Sequence, residues 1–158
     1  MKNIGERIKE SWSLPSLIFP LRSAREESLV TFESRYGVGF PKDMRDYFFQ
    51  VDGIDQDREG FSFWRLGDVK PVVEAAKAHD LNWLKQLPEA ESFFIFADYL
   101  SWCWGYAIRL SKDTIDKNEV MLLCCRNPIK IADSFSEFME LYFEDNAKLY
   151  PPKEHLHV

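Results

Sequence analysis

The sequence predicts an α+β fold: an antiparallel-rich central sheet packed against helices, in a single domain. Three observations carry this. Up to about residue 53 the apolar residues recur at helical spacing. From about residue 93 they fall into short strand-like runs separated by polar turns. No internal repeat, low-complexity tract or break in composition divides the chain. Its 158 residues suit one domain, and 46% hydrophobic residues, with 15% aromatics, supply enough apolar surface to offset chain entropy.

Ile4, Ile8 and Trp12 recur at i, i+4 and i+8 with charges between them, which predicts a short amphipathic helix closed before Pro15. Leu14 to Leu21, with Pro15 and Pro20, reads as an extended connector. Ser23 and Glu26 have capping-box spacing and open a second helix. Leu29, Phe32 and Tyr36 form its apolar stripe, Glu27, Glu33, Ser34 and Arg35 its solvated side, and Gly37 its left-handed stop. Pro41 starts the third helix in its first turn. Met44, Tyr47, Phe48 and Val51 keep the helical period, and Gly53 ends it.

A polar loop follows from Asp52 to Gly60, then a strand over Phe61–Leu66. Asp68 is placed to cap a helix from about Val69 to His79, with Leu81–Leu87 extending it or forming a second turn before Pro88. Phe93–Ala97 has the composition of a strand buried on both faces, and Trp104–Leu110 is a second strand. Asp113–Asn118 is a turn leading into a strand over Val120–Cys125, and Ile129–Ile131 is a short edge piece. Ser134 and Glu137 form a second capping box. The last helix shows Phe135, Phe138, Met139 and Tyr142 on one face, and Pro151 opens a tail ending near His155 and His157.

Charge and cysteines narrow the function. There are 26 acidic against 20 basic residues, net −6, which disfavours nucleic acid and anionic membranes as partners. Cys103, Cys124 and Cys125 have neither zinc-ligand nor redox spacing and read as buried thiols of a reducing cytoplasm. Met1–Ser13 lacks the apolar run of a secretion signal, and no apolar run is long enough to span a bilayer.

Chemistry-bearing patterns are sparse. His79, His155 and His157 do not make a metal-ligand set, and His79 reads as a helix-end residue. There is no Gly-x-Ser-x-Gly elbow, phosphate loop or dinucleotide fingerprint. Asp52, Asp55, Asp57 and Glu59 resemble a calcium loop only in part, because Gly53 comes too early and no Glu closes the loop. No catalytic residue, metal or cofactor is therefore expected. The acidic loop instead suits the steering of a basic partner. The turn Asp98–Trp104 is the oddest segment, since it carries Trp102 and Trp104 where turns hold small polar residues. Two readings stand: the indoles face a partner, or they cap the core. Asp55, Asp57, Glu59, Asp98, Trp102 and Trp104 are the candidate partner-binding residues.

Phe32-Glu33-Ser34-Arg35-Tyr36-Gly37, the loop to Phe40-Pro41, Asp46-Tyr47-Phe48 and Asp52-Gly53 together resemble the signature of the SUKH superfamily (Smi/Knr type). Phe94–Asp98 and the closing Ser134-Phe135-Ser136-Glu137-Phe138 resemble later family motifs. Between Asp98 and Gly105 the chain departs from the glycine-rich turn of many relatives, which points to a subgroup-specific surface. The resemblance covers about Ser23 to Tyr150 and implies a helix and connector over 1–22, a SUKH-like domain over 23–150 and a tail over 151–158. It implies a protein-binding role without catalysis. Bacterial members are similar to immunity proteins that neutralise a cognate toxin, and fungal Smi/Knr relatives look like regulators of cell-wall assembly. The toxin-binding role is the expectation, and the regulatory interaction module is the alternative.

Overall fold

The computed structural model describes residues 1–12, 21–57, 59–79, 82–113, 117–124 and 127–155, with only the backbone of 77–79, 82–83 and 155. Most of the predicted connector Leu14–Leu21, together with Arg58, Cys125, His157 and the side chains of His79 and His155, lies outside the described residues. Among the described residues the α-helices are α1 (Ile4–Trp12), α2 (Glu26–Tyr36), α3 (Lys42–Gln50), α4 (Val72–His79) and α5 (Phe135–Phe143). The strands are β1 (Phe61–Phe63), β2 (Lys70–Pro71), β3 (Phe93–Tyr99), β4 (Trp104–Arg109), β5 (Val120–Leu123) and β6 (Ile129–Ala132). They form one antiparallel sheet in the order β1-β3-β4-β5-β6, with β2 beside β1 on the same edge of β3. This is the α+β architecture expected from the sequence.

The sheet has two covered faces. Phe94, Phe96, Tyr106, Ile108 and Leu122 face the main core, built with Ile8, Trp12, Leu29, Phe32, Met44, Phe48, Phe135 and Phe138 of the other helices. Phe93, Ile95, Ala107 and Leu123 face a smaller core under Val72 and Ala75 of α4. Two-sided burial explains why β3 reads as an unbroken apolar run instead of alternating. A register shift between Ile95 and Ala97 marks a bulge in β3, after which Asp98 points to the second face and Tyr99 to the first.

Several helix boundaries move from their expected places, each for a local reason. Ser23 does not cap α2. Residues 22–24 run extended along the end of α3, with the Ala24 amide on the Phe48 carbonyl (2.8 Å), so the helix starts at Glu26 after an extended Arg25. Pro41 is the residue before α3 (φ −63°, ψ 155°) and not its first turn. α3 stops at Gln50, and Gly53 works three residues beyond that (φ +76°), where a Cβ would meet the Phe63 carbonyl oxygen at 2.4 Å. Asp68 caps no helix, because Lys70–Pro71 pairs with β3 before α4 begins. β1 ends at Phe63, three residues short of expectation, since the Trp64 amide bonds the Phe96 carbonyl while its indole turns to Asp98. Gly37 does adopt the left-handed stop (φ +65°), and Ser134 caps α5 through the Glu137 amide (3.0 Å). The returning bond of that box comes from the Asp133 amide, one residue earlier than the motif places it (2.8 Å).

Glu33 is a further correction. It is not a solvated residue: its carboxylate accepts from the Phe40 amide (2.8 Å) and pairs with Arg45, which fixes the link between α2 and α3. Asp43 does the same between α3 and α5, accepting from the Ser136 amide (2.8 Å) and hydroxyl (2.6 Å). The acids of the helical signature thus serve backbone donors that the turns leave unpaired.

Candidate protein-binding surface

At one end of the sheet the hairpin β3–β4 turns through Leu100, Ser101 and Trp102, all left-handed (φ 45°, 52° and 77°). Three consecutive non-glycine residues in this region are costly, roughly 1–2 kcal/mol each. Four hydrogen bonds hold the turn. The Tyr99 carbonyl accepts from the Cys103 amide (2.9 Å), and the Gly60 carbonyl from the Leu100 amide (2.9 Å). Asp98 accepts from the Trp102 amide (3.2 Å) and from the Trp64 indole N–H (2.6 Å). Asp98 is only 6% exposed, so both of its oxygens are directed into the fold.

The left-handed turn sends the two tryptophans to opposite faces. Trp102 folds back over Gly105 on the second face, where a Cβ on that glycine would lie 3.3 Å from the indole, and packs edge-on against Trp64 (5.2 Å, 71°). Trp104 stacks on Tyr99 on the first face (4.5 Å, 18°), and its N–H donates to the Tyr106 hydroxyl (2.9 Å). Both indoles are half-buried. The exposed tip consists of Leu100 (45% exposed), Ser101 and Cys103. Of the cysteines expected to be buried, Cys124 is buried, while Cys103 is carried to the surface by the reversed turn.

The acidic loop lies beside this turn. β1 pairs Ser62 with Asp98 and Phe61 with Tyr99, and Gly60 (φ +99°) packs so closely that a Cβ would meet the Leu100 side chain at 2.7 Å. The six candidate residues therefore gather at one end of the sheet in different states. Asp55 is open, its side chain 82% exposed and 3.5 Å from Arg65. Glu59 is exposed. Asp57 is half-buried, and its Oδ1 accepts from the amides of Glu59 (2.8 Å) and Phe61 (2.9 Å). Asp52 accepts from the Leu66 amide (2.7 Å), and burial holds its carboxyl above the usual range against the lowering pull of that amide and of Arg65. Burial is also the first cause raising the Tyr106 and Tyr142 hydroxyls, so both stay protonated donors at neutral pH.

Sequence reasoning missed Leu100, Trp64 and Tyr142. Leu100 was legible as an apolar residue in a turn. The indole of Trp64 was hidden inside an apparent strand.

Elsewhere a cleft of about 610 Å³ opens between α2 and the Leu66–Val69 turn, lined by Arg25, Arg35, Phe32, Tyr36 and Asp52 among others. Among the described residues no three His, Cys, Asp or Glu side chains converge to hold a metal ion, and no helix is long and apolar enough to cross a membrane.

An α+β domain with helices over an antiparallel sheet can host many functions, so the fold alone does not assign one. The comparison with known families narrows it: the model of the SMI1 / KNR4 family (SUKH-1) matches residues 23–141, and the chain belongs to that family. The match leaves out α1 and the segment after Leu141. No curated protein gives a significant match.

Proposed function

We propose that this chain is a non-catalytic protein-binding domain of the cytoplasm that neutralises a cognate toxin by direct contact. Family membership supports a binding role, and the resemblance to bacterial immunity proteins points to a toxin as the partner. One observation carries the choice of surface. The exposed carboxylates of Asp55 and Glu59 belong to a loop whose Gly60 packs on an apolar tip at Leu100, itself on a turn whose shape is over-determined by hydrogen bonds. A rigid apolar centre with a charged rim is how protein interfaces are built. In this reading Asp55 and Glu59 supply the negative rim, Trp102 and Trp104 the aromatic anchors, and the inward-bonded Asp57 and Asp98 the supports that aim the loop and the turn. A basic toxin domain, such as a nuclease, is the complementary partner.

Co-expression with the product of the adjacent gene, scored as cell survival, tests the function. Rescue from a lethal neighbour is the expected result. A stable partner captured from cells that hold no toxin, with no rescue, would move the reading to a regulatory module of the Smi/Knr type. The surface has its own test. Replacing Trp102, Asp55 and Asp57 together by alanine should weaken a purified complex by at least about 100-fold, as loss of an aromatic anchor, a rim charge and the inner support of the loop does. Association should also slow as salt rises. Affinity unchanged by the triple substitution would remove this surface from the proposal.

A further inference from the structure

Helix α1 reaches the acidic loop without forming part of it. The Trp12 indole N–H donates to the Tyr142 hydroxyl (2.9 Å), and that hydroxyl donates in turn to Oδ2 of Asp57. The other oxygen of Asp57 holds the amides of Glu59 and Phe61, and its own amide bonds the Phe61 carbonyl (2.7 Å). One carboxylate thus joins the loop's backbone to a phenol fixed by α1. The phenol ring is itself clamped edge-on by Phe63 (5.0 Å, 74°) and Phe61 (5.4 Å, 88°), so the hydroxyl has a defined position. α1 is held from its other side, where Arg7 pairs with Glu140 and lies over the Phe143 ring at 4.3 Å. Trp12 and Tyr142 both fall outside the stretch 23–141 that the family model matches.

We propose that Trp12 and Tyr142 are positioning residues for the acidic loop: α1 sets, through the Tyr142 hydroxyl, the conformation in which Asp55 and Glu59 are presented. The value of that conformation for binding rests on the function proposed above, but the relay does not. Burial keeps the phenol protonated, so its donation to Asp57 persists through neutral and mildly alkaline pH.

The test uses the isotope-labelled full chain without any partner. Tyr142→Phe keeps the ring and removes the hydroxyl. Amide hydrogen exchange at Glu59 and Phe61 should quicken about tenfold, while Ala107 and Leu122 in the sheet are unchanged. The Trp12 indole N–H resonance should move in the same variant. It should also move in Asp57→Asn, although residue 57 reaches Trp12 only through the phenol. Trp12→Phe, which keeps an aromatic ring but loses the donor, is a milder second variant and should quicken the same two amides. Loop amides that stay as slow as in the parent chain, or that quicken together with Ala107 and Leu122, would overturn the relay. If the relay holds while affinity for a toxin ignores Tyr142→Phe, the binding reading of the loop fails and the relay stands.

Discussion

Trp12→Ala should lower the free energy of unfolding by about 3–5 kcal/mol, the range for truncating a buried large aromatic. Trp12 is 2% exposed, lies against Phe63 (4.9 Å) and Tyr47 (6.3 Å), and donates to Tyr142. The cavity would open between α1, α3 and the sheet, where Gly5 already sits so close to Gln50 that a Cβ would meet its Cγ at 2.4 Å. Elements this close have little room to collapse, so the upper part of the range is expected. Urea unfolding should show a lower midpoint with an unchanged slope. A loss below about 1 kcal/mol, well under the range for buried aromatics, would mean that α1 is not docked in solution.

Asp98→Ala should cost about 3 kcal/mol, because hydrogen bonds to a buried charged group contribute roughly 1.5–3 kcal/mol each and two are lost. The change also frees a turn that its bonds hold against left-handed strain. The expected local signature is a red shift of tryptophan fluorescence as Trp102 leaves Gly105 and Trp64 loses its acceptor. Asp98→Asn keeps one acceptor oxygen and should fall between the parent and the alanine variant. An alanine variant with parental stability and parental fluorescence would show that the turn holds its shape without the carboxylate. If the tip is the contact surface, Asp98→Ala should also weaken toxin binding, although the carboxylate itself faces inward.

Periodic signals were legible and non-periodic ones were not. Ile8, Phe32, Phe48 and Phe138 declare their helices because each recurs at helical spacing, and all four are buried. β3 declares itself by composition. β2 is two residues long and contains Pro71, and it exists only because β3 offers a free edge beside β1. Glu33 looked solvated because the amide it serves lies seven residues ahead, across a turn. The Asp98–Trp104 segment was legible as unusual. The left-handed path that sends Trp102 and Trp104 to opposite faces was not, because three non-glycine residues adopt it only under tertiary restraint. The candidate acids were found as a group, whereas the division between exposed Asp55 and Glu59 and inward-bonded Asp57 and Asp98 depends on partners distant in sequence.

The contact between Trp12 and Tyr142 spans 130 positions. Its consequence is one of order in time. The hairpins β3–β4–β5–β6 close over short loops, whereas α1, packed on α3 and Phe63, gains the hydroxyl partner of its Trp12 only once α5 is in place. A growing chain can therefore form its sheet while the indole N–H of Trp12 still lacks its acceptor. α1 should join after the rate-limiting step, so that Trp12→Ala speeds unfolding and leaves the refolding arm of the chevron in place.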